Sequence, residues 1–202
     1  MFCIHLKQVR SFRITSDMPV SKGKYFIAII PPAPFFDYAL ELKHYINNHY
    51  QSKGALNSPP HITLHMPFEW RSDKEDELIS AFQKHTTILP ASTISLQGFG
   101  SFPPRVIFIH VVPSENLNRL QSSIRKFCKQ ELGLFNADYK DLPFHPHITV
   151  AFRDLRKAKF IEAWDEFKNK PFEGSFSAKK IDLLKHDGKK WNVLKEFSLN
   201  SI

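Results

Sequence analysis

A four-residue phrase, His61-Ile62-Thr63-Leu64, returns in the second half of the chain as His147-Ile148-Thr149-Val150. Each copy follows a proline, Pro60 or Pro146, and each is built of β-branched and aliphatic residues that favour extended backbone. Two such phrases in one chain of 202 residues predict a duplicated, two-lobed arrangement with one copy on a strand of each lobe. Side chains alternate along a strand, so His61, Thr63 and His65 are expected on one face, with Ile62, Leu64 and Met66 on the other. The same parity assigns His147, Thr149, Ala151 and Arg153 to the matching face of the second strand. Each half then offers an imidazole and a hydroxyl over a dry, buried face, and a two-fold pairing of the lobes would bring both wet faces to one cleft.

The remaining elements follow from periodicity and punctuation. An apolar run from Lys24 to Ile30 reads as a buried strand stopped by Pro31-Pro32, and helical spacing follows from Phe36 to His49. The first His-Ile-Thr strand lies between Pro60 and Pro67. A helix with acids in its first turn is expected over 73–84, and strands over 92–97 and 105–112. Ser114 caps a helix over 115–131 that Gly133 ends. After the second motif come a helix over 156–168 and two closing strands, 174–184 and 190–199, around Asp187-Gly188. Four helices and about seven strands in interrupted order give an α+β class rather than a doubly wound parallel sheet. Residues 1–22 read as an irregular tail, and 23–202 as a single bilobal domain.

Composition narrows the partners. The chain carries 28 Lys and Arg against 20 Asp and Glu, a net +8, with ten histidines as further potential positive charge, which favours a polyanionic partner. Cys3 and Cys128 are the two cysteines, too few for a disulfide framework or a four-cysteine zinc site, so a reducing, cytoplasmic setting is expected. No stretch approaches the roughly 18 apolar residues of a membrane span, and no membrane partner is expected. His61, His65, His145 and His147 invite a zinc reading, but no nearby acid completes a familiar set. The spacing His61-x-x-x-His65 also suits a helix rather than a strand, so no metal or other cofactor is expected.

Two imidazoles flanking one cleft suit in-line displacement at phosphorus, a neutral ring taking a proton from the attacking oxygen and a protonated ring giving one to the leaving oxygen. Thr63 and Thr149 would donate to the non-bridging oxygens, and Arg153 would add a charge-assisted fork. His65 on the wet face, Arg105 at the opening of a strand and Phe26 as a stacking platform are candidate substrate contacts.

The paired His-Ile-Thr phrases, the strand Tyr25-Phe26-Ile27-Ala28-Ile29 and the phrase Phe144-His145-Pro146-His147-Ile148-Thr149 resemble the two-histidine (2H) phosphoesterase superfamily. The branch they resemble is that of the 2′-5′ RNA ligases and RNA 2′,3′-cyclic phosphodiesterases. The resemblance implies a bilobal, pseudo-two-fold α+β fold, with antiparallel sheets lining a central cleft and helices packed outside. It implies a metal-independent hydrolase acting on 2′,3′-cyclic phosphates of RNA ends or nucleotides, with reversible 2′-5′ ligation, and a monomer is expected. It also implies His61 as acid at the ribose oxygen and His147 as base for water, the roles exchanging in the ligating direction. Two other readings stay open: a non-catalytic module binding RNA ends, and a phosphodiesterase for a small cyclic or 2′-5′-linked nucleotide.

Overall fold

The computed structural model describes residues 20–135 and 143–200; residues 1–19 of the expected tail, with Cys3, lie outside the described residues. Its first strand, β1 (Lys22–Ile29), is buried without a break from Tyr25 to Ile29. Tyr25, Ile27 and Ile29 join the main core, whereas Phe26 and Ala28 pack with Leu184 in a small cluster on the opposite face, so both faces of the strand are covered. That double cover is why this segment reads as a continuous apolar run.

Helix α1 (Phe35–Tyr50) follows the prolines and ends at Gln51, whose φ of 59° supplies the left-handed turn. Strand β2 (Ile62–Arg71) runs on through Pro67. Its neighbour β5 (His147–Ala151) pairs with it at Ile62, upstream of the proline. Helix α2 (Glu75–Thr86) opens on Glu75, Asp76 and Glu77, matching its positive N-terminal end. Strands β3 (Ser92–Phe102) and β4 (Val106–Val112) form an antiparallel pair. In α3 (Glu115–Leu132) the Ser114 hydroxyl accepts from the Leu117 amide at 3.2 Å, and Gly133 closes the helix at φ 65°. Helix α4 (Lys157–Phe167) and strands β6 (Glu173–Ala178), β7 (Lys180–His186) and β8 (Trp191–Ser198) complete the chain.

The eight strands of the described residues join one antiparallel sheet in the order β6-β3-β4-β5-β2-β1-β7-β8. It divides at β5·β2 into two four-stranded halves with matching roles: β1 backs β2 as β4 backs β5, and β7 backs β1 as β3 backs β4. The run expected as one strand over 174–184 is two strands in different halves. Its pattern marks the break: β6 alternates buried Phe176 and Ala178 with exposed serines, as an edge strand does, whereas Ile181 to Leu184 are all buried in an interior strand. Helix α1 packs on β5 and α3 on β2 and β3, so each of these two helices covers the other half's motif strand and ties the halves together. Among the described residues no helix is long and apolar enough to cross a membrane, and Cys128 is a buried core thiol.

Candidate active site

The two motif strands touch where Ile62 faces Ile148, and both side chains are fully buried toward the helices. In an antiparallel pair this register sets His61 against Thr149 and Thr63 against His147, one residue to either side and on the opposite face. All four of those side chains line one cavity of about 330 Å³. Thr63 pairs with Ala28 of β1 and Thr149 with Phe108 of β4, so each threonine is paired with an interior strand of its half.

Both imidazoles are held the same way. His61 Nδ1 lies 2.7 Å from the carbonyl of Pro59, and His147 Nδ1 lies 2.7 Å from the carbonyl of His145, two residues upstream in each case. A carbonyl only accepts, so Nδ1 carries the hydrogen in both rings, and the neutral form leaves Nε2 as a free base. Burial pushes His61 down to about 4, the Pro59 carbonyl opposing the shift and the charges of Lys43 and His147 adding to it. Burial likewise lowers His147, with its carbonyl bond opposing and His145 adding. The protein's own groups thus favour neutral rings.

The cavity wall is aromatic. Phe26, named from the sequence, lines it with its ring centroid 4.8 Å from that of His61. Trp191 meets Phe26 edge-on at 4.7 Å and His186 at 4.9 Å, and Phe152 adds a ring from the second half. Trp191 and His186 are directly paired across the β7–β8 hairpin. The Asp187-Gly188 turn between them was the available signal, since residues flanking a tight hairpin turn share a face. Asn57, Ser58 and the short 3-10 turn at Gly54–Asn57 form the rest of this side. That loop is fastened to the second half by Asp154, whose Oδ2 accepts the amides of Lys53 and Gly54 at 2.7 and 2.8 Å while Oδ1 accepts the Ser52 hydroxyl at 2.8 Å.

Three residues expected at the site do not line this cavity, and for two of them one physical reason accounts for it. Ala28 pairs with Thr63 but Ile27 pairs with His65, leaving Leu64 as an extra residue; Phe108 pairs with Thr149 but Ile107 with Ala151, leaving Val150 extra. Each motif strand therefore carries a β-bulge directly after its threonine, which reverses the side-chain parity beyond it. His65 is 1% exposed and packs edge-on against the core ring of Phe68 at 5.5 Å. Ala151 is buried in the core. Arg153 lies past the end of β5 and past the bulge, exposed, with its guanidinium over the Phe152 ring. Arg105, also exposed, reaches the Arg153 carbonyl at 3.4 Å rather than the cavity. With His65 turned into the core, the four imidazoles considered for zinc do not converge.

The sequence family described as the 2′-5′ RNA ligase superfamily matches residues 31–190. A Geobacillus kaustophilus protein named "Putative phosphoesterase" is 29% identical over 177 residues, covering 86% of this chain and 95% of its own. One of the same name from Geobacillus thermodenitrificans is 30% identical over 147 residues, covering 72% of this chain and 78% of its own. Among solved structures, TT0787 of Thermus thermophilus superposes with a TM-score of 0.65 at 22% identity, covering 88% of this chain and 98% of that one. Escherichia coli LigT complexed with 3′-AMP gives 0.63 at 22%, covering 89% and 99%. The shared fold, the duplicated His-Ile-Thr strands and the match over residues 31–190 lead to one assignment: this chain belongs to the 2′-5′ RNA ligase superfamily, the two-histidine phosphoesterases.

Proposed function

We propose that this protein is a phosphoesterase that opens 2′,3′-cyclic phosphates of RNA ends or nucleotides by general acid–base catalysis between His61 and His147, without a metal ion. The observation that carries the reading is the twin arrangement at the Ile62·Ile148 pair: two Nδ1-anchored imidazoles and two threonines around one cavity. A phosphate seated between the hydroxyls of Thr63 and Thr149 has its non-bridging oxygens held as negative charge builds on them. One neutral imidazole takes a proton from the attacking water as its oxygen bonds to phosphorus. The ribose oxygen on the far side leaves, and the other imidazole gives that oxygen a proton, so the product is a ribose phosphomonoester with a free neighbouring hydroxyl. Run backwards with a 5′-hydroxyl in place of water, the same groups join two RNA ends, so ligation needs no further residue.

The cavity volume, at the lower end of small-molecule sites, suits a single terminal nucleotide with its base against Phe26 and Trp191. LigT, which shares the fold, has been crystallised with 3′-AMP, a nucleoside monophosphate of the class that ring opening yields. The test is hydrolysis of a nucleoside 2′,3′-cyclic phosphate in excess chelator with product identification. Accumulation of the monophosphate at an undiminished rate is the expected result. Activity abolished by chelator, or binding of RNA ends with no turnover, would overturn the proposal.

A further inference from the structure

Joining two RNA ends needs no chemical group beyond those of the cleft, but a 5′-hydroxyl, unlike water, arrives on a nucleoside that must be seated. In-line displacement puts the attacking and leaving oxygens on opposite flanks of the phosphorus. With a terminal base against Phe26 and Trp191, beside His61, the second nucleoside belongs on the flank that His147 occupies. The second half carries an aromatic construction there that matches the first. His61 has the buried ring of Phe26, from the strand that backs its own, at 4.8 Å, and Trp191 of the β7–β8 hairpin meets that ring at 4.7 Å. His147 has the buried ring of Phe108, from the strand that backs its own, at 5.0 Å, and Phe102 of the β3–β4 hairpin meets that ring at 4.7 Å. Phe102 also approaches His147 edge-on at 5.2 Å. Gly100, paired with Phe108, makes room for the arrangement, because a Cβ there would overlap the Phe108 ring.

We propose that Phe102, backed by Phe108, is the platform of a second nucleoside subsite beside His147, seating the nucleoside whose 5′-oxygen is joined to the phosphorus or released from it. This rests on the acid–base reading above and adds to it a substrate of two linked nucleosides. Phe26 and Trp191 line the cavity of about 330 Å³, whereas Phe102 and Phe108 stand outside it, so the two platforms serve separate bases. Phe102 is 41% exposed, as is Phe152, which lines the cavity from the end of β5. A large ring left in water at the end of a hairpin, next to a reacting group, is a surface that a base can cover. The rim is positive. Arg105 shares the turn with Phe102, its amide donating to the Phe102 carbonyl at 3.4 Å, and its exposed guanidinium reaches the carbonyl of Arg153, which is exposed as well. Charge of this sign suits the phosphates of a continuing strand, and stacking on a phenyl ring accepts any base. In the joining direction the 5′-hydroxyl gives its proton to one imidazole as its oxygen bonds to phosphorus. The 3′-oxygen of the cyclic phosphate leaves with a proton from the other, and a 2′-5′ diester beside a free 3′-hydroxyl remains. Cleavage of that diester retraces the same steps.

The experiment measures, by calorimetric titration, the binding of two diesters of equal charge that cannot cyclise. One is a 2′-5′-linked dinucleoside monophosphate with 3′-deoxyadenosine on its 2′ side and adenosine on its 5′ side. The other is 3′-deoxyadenosine 2′-(methyl phosphate), which keeps the phosphate and the first nucleoside alone. The wild type is expected to bind the dinucleoside about 10-fold more tightly than the methyl ester. Phe102→Ala should lose that gain while binding the methyl ester as the wild type does, and Phe102→Tyr should retain it. Phe102→Leu, which keeps the bulk without the ring, should also lose it and serves should the alanine variant fail to fold. Equal wild-type affinities for the two diesters, or a gain that survives removal of the ring, would overturn the proposal. Because binding needs no turnover, absence of cyclic phosphate hydrolysis would count against the catalytic proposal alone, and hydrolysis with equal affinities for the two diesters against the second subsite alone.

Discussion

Ile62 and Ile148 face each other at the contact between β2 and β5, and the site is arranged about that pair. Their side chains are buried among the helices, which fixes the register: a slip of one residue in either strand would turn its isoleucine into the cleft and its histidine and threonine into the core. The apolar pair therefore sets the polar geometry on the other face.

Under the proposed function, Thr63 and Thr149, which line the cavity, are the groups that would donate to the phosphate. Thr63→Val or Thr149→Val keeps size and β-propensity and removes the donor, so each is expected to lower kcat by roughly 10²-fold, as does loss of an oxyanion donor elsewhere. Serine at either position should retain most of the activity. Steady-state rates with unchanged thermal unfolding are the check.

The aromatic wall predicts a different signature. Trp191 contacts the rings of Phe26 and His186, so Trp191→Ala should disturb the cavity while leaving the acid–base pair in place. Loss of one stacking surface is worth about 1–3 kcal/mol per base. KM for a nucleoside cyclic phosphate should rise with little change in kcat, and a base-free ribose cyclic phosphate should show no such penalty.

Much of this was legible in the chain itself. The repeated phrase located the two histidines and threonines, and periodicity located all four helices, because both signals are local. The bulges after Thr63 and Thr149 were not legible: whether Leu64 or Val150 is an extra residue depends on the register of β1 and β4, which no local pattern records. For that reason simple alternation placed His65 and Arg153 in the cleft.

Asp154 joins the halves through three hydrogen bonds to residues 52–54. Asp154→Ala is expected to cost on the order of 1–3 kcal/mol and to free the Lys53 and Gly54 amides to exchange. Gly54→Ala should act in the same direction, because an added Cβ would stand 2.8 Å from Asp154 Oδ1. Chemical denaturation and hydrogen exchange measure both, and protection of those two amides unaltered in Asp154→Ala would refute the clamp.

Asp182 on β7 gives a pH prediction with a definite sign. It is fully buried, its Oδ2 accepts the Ile30 amide at 3.2 Å, and Oδ1 has no hydrogen-bond partner among the described residues. Burial raises it from 3.8 to about 6, with the Ile30 bond opposing. The folded state then holds the proton more tightly than the unfolded chain. The contribution of Asp182 to stability is greatest below about pH 4, falls between about 4 and 6 while only the unfolded carboxyl has ionised, and is flat above, a change of about 2–3 kcal/mol. Asp182→Asn should remove that slope, read from denaturation midpoints at pH 4 and pH 8; an equal slope in both proteins would show that other groups cause it.

The central claim is that His61 and His147 act together on one phosphorus atom, and a double-mutant cycle on turnover of a nucleoside 2′,3′-cyclic phosphate tests it most directly. Residues that work as a unit are strongly non-additive, so His61→Ala and His147→Ala should each lower kcat by about 10²–10⁴-fold, and the double variant should fall hardly further. Losses that multiply in the double variant, or either single variant keeping wild-type turnover, would contradict the account.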